Sequence, residues 1–380
     1  MNLDRTWISQ AASAIAEHAE RELEALVGIS TPSGDAAAAE EAVALCAALL
    51  PADVKVERIE CSTPNHAPDL LARVSGTGTG RVLLLGHLDT VVAHEQHRPM
   101  ERDGDKLIGS GAVDMKGGIV LALGVMRALA EQPDAFAEVA LLAVNDEEWR
   151  TGSLVHGPRF EGYDACLCFE GGALGPNGED ALVVRRKAAA TVRVVARGLA
   201  AHSGASPERG RNALLAVAEA AKRVAERNDP DGPERLTAVP TVVRSGDAFN
   251  VVPATGELIC DLRADSLDAF EPVLDAVPDE HGGGTLTAEL VRRWPGMDTR
   301  AAAAPVLEAA TELLGRPVIA SERGGASDAS HLAAHVPLTF DGLGPLGGGA
   351  HNPDEYVLRE SLRTRSEVAL AVVAAILGRG

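Results

Sequence analysis

Residues 81–89 read RVLLLGHLD, an apolar run that ends in an imidazole and a carboxylate. Three similar apolar runs follow along the chain: VALLAV at 139–144, ACLCF at 165–169 and VPLTF at 336–340. Helical patterns alternate with these runs and cover 7–28, 36–50 and 114–131, the last with Asp114 as its N-cap. Continuous apolar strands between helices are typical of a parallel sheet covered on both faces. The sequence therefore predicts an α/β fold around a mostly parallel sheet.

Residues 188–297 have a different pattern. Strand-like and helical segments occur there in the order β-α-β-β-α-β, over 191–196, 210–227, 237–245, 256–263, 266–277 and 285–292. This order is typical of a ferredoxin-like unit. We therefore predict one domain from residues 1–187 and 298–380, into which a second domain of residues 188–297 is inserted.

Composition argues against several classes of partner. The chain has 35 basic and 55 acidic residues, and its formal net charge of −20 disfavours nucleic acid and anionic membranes. No run of 18 apolar residues occurs, and the first 30 residues lack the apolar segment of a signal peptide. The five cysteines are odd in number and irregularly spaced, which fits a reducing compartment. A cytoplasmic location is expected.

Side chains of the types that bind metals follow the ends of the predicted strands. They are His87, Asp89, Glu147, Glu148 and Glu170, joined from two glycine-rich loops by Asp114 and His351. Taken singly, such a histidine is commonly a structural hydrogen-bonding residue and such an aspartate a helix cap. Ligands of open α/β sheets bind outside the carboxyl ends of the strands, where these segments meet. The joint occurrence therefore predicts one site.

The adjacent carboxylates Glu147 and Glu148 repel each other unless cations or protons separate them. Zinc accepts imidazole nitrogen and carboxylate oxygen, and two zinc ions about 3.5–4 Å apart can share a bridging carboxylate. Asp114, Glu148, Glu170 and one hydroxide would balance two such ions, which leaves Glu147 free as a general base. Cobalt or manganese would accept the same ligands.

These segments resemble, in order, the motifs of the M20 family of zinc metallopeptidases and amidohydrolases. The matching segments are His87-Leu-Asp89, GSGAVDMKGG at 109–118, NDEE at 145–148 and the late His351. The resemblance extends over nearly the whole chain and implies a zinc-peptidase catalytic domain with an inserted lid or dimerisation domain. It also implies that His87 and Glu170 bind one metal ion, Glu148 and His351 the other, and that Asp114 bridges them. Asp89 would orient His87, and Glu147 would shuttle the proton.

The segment AHSGASPERGRNA at 201–213 resembles the signature of glutamate carboxypeptidase-like members of the family. By this resemblance His202 would stabilise the oxyanion, and whether it acts within its own subunit or in that of a partner stays open. Asn250 and Arg263 would hold the substrate carboxylate, although a surface ion pair is an equal alternative for Arg263. Gly325 and Ser327 would lie near the substrate backbone.

The resemblance implies a homodimeric di-zinc hydrolase that cleaves an amide next to a free carboxylate of a small peptide or N-acyl amino acid. The product would be a C-terminal amino acid, as in glutamate carboxypeptidases. An N-acyl amino acid deacylase or a dipeptidase remains an alternative, because the metal site is common to all of them. A non-catalytic metal-binding protein on the same fold is disfavoured by the spare carboxylate of Glu147. A nucleotide-binding protein needs a glycine-rich loop after a strand, whereas GTGTG at 76–80 precedes one.

Overall fold

The computed structural model describes residues 3–378. Within this range the α-helices are α1 Arg5–Val27, α2 Ala36–Ala48, α3 Gly117–Ala130, α4 Ala213–Ala225, α5 Glu271–Leu274, α6 Arg300–Leu314, α7 Asp328–Ala333 and α8 Arg359–Leu377. The strands are β1 Lys55–Ile59, β2 Asp69–Ser75, β3 Arg81–His87, β4 Glu101–Asp103, β5 Lys106–Ile108, β6 Glu138–Val144, β7 Ala165–Cys168, β8 Ala173–Leu174, β9 Asp180–Arg186, β10 Ala188–Arg197, β11 Thr237–Ser245, β12 Thr255–Ala264, β13 Glu280–His281, β14 Gly284–Trp294, β15 Met297–Asp298, β16 Val318–Arg323, β17 Thr339–Phe340, β18 Gly347–Gly348 and β19 Tyr356–Leu358.

The central sheet has six strands in the order β1-β2-β6-β3-β7-β17. Strands β6, β3, β7 and β17 are parallel, whereas β1 and β2 form an antiparallel edge. Leu84 and Leu141 belong to the core that includes α1, α3 and α8, while Leu83 and Leu142 belong to a core on the opposite face. Because alternate residues of one strand are buried on opposite sides, both faces are covered. The predicted mostly parallel α/β fold is confirmed.

The strand predicted at 336–340 is shorter in the structure, where only Thr339 and Phe340 pair with β7. The backbone N–H of Val336 instead donates to the carbonyl of Leu332 at the end of α7 (2.8 Å), and Pro337 has no N–H to donate to a neighbouring strand. Because of the helical turn and the proline, the strand begins only at Thr339.

The prediction that Asp114 caps a helix is wrong. The regular helix α3 begins at Gly117, and Asp114 has the non-helical angles φ −127° and ψ 89°. A Cβ atom at Gly118 would lie 1.8 Å from the carbonyl oxygen of Phe169, so the first turn of α3 approaches the end of β7 more closely than any side chain would allow. Asp114 lies in the irregular segment before this contact and faces the carboxyl ends of the strands.

The inserted segment forms an antiparallel sheet in the order β11-β12-β10-β14-β13. Its first four strands have the order of a ferredoxin-like unit, and α4 and α5 cover one face around an apolar core of their own. The helix predicted at 266–277 is reduced to a 3₁₀ turn and the four residues of α5. The predicted loop at 281–284 is a tight hairpin turn with Gly282 and Gly283 at positive φ. The domain division at 188 and 297 stays a prediction.

Among the described residues, no helix combines the length and apolar character needed to cross a bilayer.

Candidate metal centre

Asp114 lies between two imidazoles that come from distant parts of the chain. Its Oδ1 atom is 3.1 Å from Nε2 of His87, which ends β3, and its Oδ2 atom is 3.2 Å from Nε2 of His351. A carboxyl oxygen of Glu170, after β7, is 3.8 Å from Nε2 of His87. A carboxyl oxygen of Glu148, after β6, is 3.5 Å from Nε2 of His351. The structure therefore brings the five predicted metal ligands together, and the assignment of each ligand to one of two ions stays a prediction.

The donor set fits divalent cations. Donor atoms of His87, Asp114 and Glu148 all lie within 4.8 Å of one another. Burial raises the pKa of Glu148 to about 9 against the opposing charge of His87, and Asp114 raises it further. Burial likewise raises the pKa of Glu170 well above its ordinary value. Buried carboxylates of this kind stay ionised only beside cations, and nitrogen and oxygen donors suit zinc and related metals.

Asp89 connects His87 to the loop after β6. Nδ1 of His87 is 2.9 Å from the backbone carbonyl of Asp89, which can only accept, so Nδ1 donates and the lone pair of Nε2 is left for a metal ion. The carboxylate of Asp89 accepts hydrogen bonds from the backbone N–H groups of Glu147 and Glu148 (3.1 Å each) and from the hydroxyl of Ser33 (2.7 Å). Asp89 thus orients His87 through its backbone and the two glutamates through its side chain.

The carboxylate of Glu147 makes no hydrogen bond or ion pair with any other residue between 3 and 378, although the side chain is buried. Burial raises its pKa, His87 opposes this shift, and Asp114 adds to it. An unengaged carboxylate with a raised pKa beside a set of predicted metal ligands has the properties required of a proton-transfer group.

Comparison with known proteins assigns the chain to a family. A family model described as peptidase family M20/M25/M40 matches residues 83–375, which is more than half of the chain. The chain belongs to this family. It is therefore a hydrolase, and the resemblance inferred from the sequence motifs is confirmed.

The relatives of this M20 hydrolase include enzymes of more than one kind. Carboxypeptidase G2 from Pseudomonas sp. (strain RS-16) is 26% identical over 92% of this chain and 87% of its own length. A succinyl-diaminopimelate desuccinylase from Xylella fastidiosa is 26% identical over 80% of this chain and 85% of its own length.

Solved structures share the fold. The aminopeptidase PepT from Bacillus cereus has a TM-score of 0.77 at 20% identity and covers 95% of this chain and 98% of its own. An M20 family metallo-carboxypeptidase from Sulfolobus solfataricus has a TM-score of 0.73 at 15% identity and covers 93% of this chain and 98% of its own.

In this M20 hydrolase, His202 lies in the inserted sheet unit and is exposed. Its Nδ1 atom accepts hydrogen bonds from the backbone N–H groups of Gly204 and Ala205 (3.1 Å each), so Nε2 carries the ring hydrogen and can donate. The backbone carbonyl of Asn250 accepts from the N–H of Ser203 (2.9 Å), which places Asn250 beside His202. In the part of the chain that the structure describes, neither the side chain of His202 nor that of Asn250 contacts a predicted metal ligand. The roles of His202 and Asn250 stay predictions.

Three other predicted substrate residues are already engaged with protein groups. The guanidinium of Arg263 donates to both carboxyl oxygens of Asp261 (3.0 Å each), which is the ion-pair alternative considered from the sequence. The hydroxyl of Ser327 is buried and donates to Asp341 (2.6 Å). The carbonyl of Gly325 accepts from Arg186 (2.7 Å). These bonds fix the 323–328 loop, and contact with substrate stays a prediction.

Glu355 is a residue of this region that sequence reasoning missed. Its buried carboxylate accepts a hydrogen bond from the backbone N–H of Gly111, in the segment that carries Asp114. Burial raises its pKa to about 8, and the charge of Asp114 adds to the shift. The signal in the sequence was an acidic residue four positions after His351, directly before the short strand β19. Glu355 thus supports the loop that presents Asp114.

Proposed function

We propose that this chain is a di-zinc amidohydrolase that cleaves an amide next to a free carboxylate and releases a C-terminal amino acid. The observation that carries the proposal is the position of Asp114 between His87 and His351, beside the unengaged carboxylate of Glu147. The similarity to carboxypeptidase G2 over most of both chains supports this choice of substrate class.

His87, Glu170 and Asp114 would hold one metal ion, and Asp114, Glu148 and His351 the other. Bound there, the ions would supply a Lewis acid for the amide carbonyl and lower the pKa of a water molecule. Glu147 takes a proton from the attacking water and passes it to the leaving nitrogen. The Nε2–H group of His202 donates to the developing oxyanion. Arg263 and Asn250 hold the substrate carboxylate, for which Arg263 has to exchange Asp261 as its partner.

An N-acyl amino acid deacylase is the alternative within the family, and the similarity to succinyl-diaminopimelate desuccinylases favours it. A dipeptidase is equally compatible with the ligand set. The non-catalytic alternative is disfavoured, because a purely binding site has no use for the buried carboxylate of Glu147.

We also propose that the chain acts as a homodimer through the inserted unit. Strand β11 is at the edge of its sheet and exposes Val239, Val242 and Val243, and the neighbouring helix α4 exposes Leu214 and Leu215. The part of this edge strand that follows Pro240 carries two exposed valines and can pair with a second chain. The five cysteines are all free and buried, which supports the cytoplasm as the compartment.

The test of the function is the variant Glu147→Gln. We expect it to bind the same amount of metal as the wild type, because Glu147 is not a ligand, and to lose turnover by about 10²–10⁴-fold. The measurements are elemental analysis of metal content and mass-spectrometric detection of the amino acids released from a panel of N-acyl amino acids and dipeptides. Glu131→Gln, at the exposed end of α3, is the matched control. Near-normal turnover of Glu147→Gln would overturn the assignment of the base.

A further inference from the structure

Arg292 is a cation near the metal centre that has no anionic partner among residues 3–378. It lies near the end of β14 and is half-buried, and its Nε atom is buried without a hydrogen-bond acceptor. Nearby arginines are neutralised, since Arg150 contacts Asp146 and Asp328, and Arg263 binds Asp261. A partly buried guanidinium without a counter-ion is unfavourable, so this position favours an anion from outside the chain.

The guanidinium of Arg292 is held in place by an aromatic ring. It lies 4.6 Å from the ring centre of Trp294, a cation–π contact, and Trp294 is fully buried. The indole N–H of Trp294 donates to the backbone carbonyl of Arg150 (3.1 Å), only two residues after Glu148. This bond joins β14 to the loop that carries Glu147, so Arg292 is positioned relative to the reacting groups.

The charges around Arg292 agree with the position that the Trp294–Arg150 bond gives it. Burial lowers its pKa, Glu147 opposes this shift, and Arg263 adds to it. Arg292 is therefore within electrostatic range of Glu147 and of the arginine predicted to bind the carboxylate of the substrate.

Arg292 and Arg263 lie on one face of the inserted sheet. Arg263 is paired with Ala189 and Arg292 with Thr191, two residues apart on β10, and directly paired residues point to the same side. Strands β12 and β14 flank β10, so their backbones are about 10 Å apart. This spacing is of the size that a small molecule with two carboxylates needs to reach both guanidinium groups, once Arg263 exchanges Asp261 as its partner.

We propose that Arg292 binds a second carboxylate of the substrate, in addition to the one beside the scissile amide. The substrates are then N-acyl amino acids with two acidic groups. The inference rests on the proposed function and deepens it. The second carboxylate belongs either to the side chain of the released amino acid or to the acyl group.

Two pairs of substrates distinguish these sources. N-acetyl-L-glutamate against N-acetyl-L-glutamine tests the amino acid side, and N-succinyl-L-alanine against N-succinamoyl-L-alanine tests the acyl side. We expect the wild type to prefer the acid in one pair by about 10- to 100-fold in kcat/KM, because a charge-assisted bond is lost with the amide. Arg292→Met removes the preference mainly through KM, and Arg292→Lys keeps part of it.

Arg293→Met is the matched control, because Arg293 points to the opposite face of β14. There its Nη2 atom lies 3.6 Å from Oε1 of Glu271. It should keep the wild-type preference. Absence of a preference in both pairs, or a preference that survives Arg292→Met, overturns the proposal.

Equilibrium binding separates this inference from the proposed function. Isothermal titration with L-glutamate, L-glutamine, succinate and succinamate measures the affinity for each product without turnover. We expect one acid to bind the wild type at least about 10-fold more tightly than its amide, and Arg292→Met to abolish the difference. Equal affinities overturn the role of Arg292 even if amides are hydrolysed. If the wild type binds an acid more tightly than its amide but hydrolyses none of the substrates, only the proposed reaction is overturned.

Discussion

The carboxylate of Asp89 forms hydrogen bonds with two segments that are distant from it in the sequence. It accepts from Ser33, 56 residues before it, and from the backbone of Glu147, 58 residues after it. The sequence predicted Asp89 as a residue that orients His87, and the structure adds the two bonds that shape the Glu147–Glu148 turn. Residue type and position after a strand were visible in the sequence, whereas the partners across the sheet were not, because they depend on strand order.

A buried histidine gives the chain a pH-dependent stability. Burial lowers the pKa of His331 to about 3, and the charges of Arg150 and Arg292 lower it in the same direction. Below about pH 6.5 the unfolded chain therefore binds a proton that the folded chain does not. The free energy of unfolding falls by about 1.4 kcal/mol per pH unit as the pH decreases from about 6.5 towards 3.

The variant His331→Phe keeps an aromatic ring against Trp294, whose ring centre is 4.8 Å away, and removes the titration. Between pH 7.5 and pH 5.0 the wild type should lose about 2 kcal/mol more unfolding free energy than the variant. Denaturant unfolding at both pH values measures this, and all other titrating groups are common to the two proteins. Parallel losses in wild type and variant would show that His331 is protonated in the folded chain.

At the scale of elements, the contact between α3 and the end of β7 positions Glu170. The helix can approach β7 only because Gly118, which contacts the carbonyl oxygen of Phe169, has no side chain. Glu170 directly follows Phe169. The sequence showed a helix with two glycines in its first turn. It did not show that the second glycine contacts the strand end that precedes the proposed metal ligand Glu170, since that contact joins segments about fifty residues apart.

Gly118→Ala should therefore separate α3 from β7 and displace Glu170. We expect a loss of about 1–3 kcal/mol in unfolding free energy, as for other overpacked sites, together with about 10-fold weaker metal binding. Denaturant unfolding and competition with a metal chelator measure the two effects. Gly152→Ala is the control, since a Cβ atom there meets nothing within 4 Å. Unchanged metal affinity in Gly118→Ala would mean that the helix contact does not position the ligand.

At the scale of the whole molecule, the separation of His202 from the metal ligands requires either closure of the inserted unit or a second subunit. The exposed apolar edge strand β11 favours the second subunit. Mixing two inactive variants, Glu147→Gln and His202→Ala, distinguishes the alternatives. If His202 acts across the dimer, each mixed dimer contains one intact site, and the mixture should recover about one quarter of wild-type activity.

Sedimentation velocity shows whether the mixed sample is dimeric, and each variant measured alone sets the baseline. A dimeric mixture that stays at this baseline would place His202 in the site of its own subunit. A sample that sediments as a monomer would contradict the proposed homodimer.

The sequence alone predicts the mostly parallel sheet, the β-α-β-β-α-β order within 188–297 and the residue types that meet around Asp114. These follow from apolar periodicity and from polar residues at strand ends, which are local properties of the chain. Three outcomes are visible only in the folded chain: Asp114 is no helix cap, Arg263 is paired with Asp261, and Arg292 has no anionic partner within the described residues. Those outcomes depend on which distant segments of the chain come into contact. The local sequence pattern around each of these residues does not contain that information.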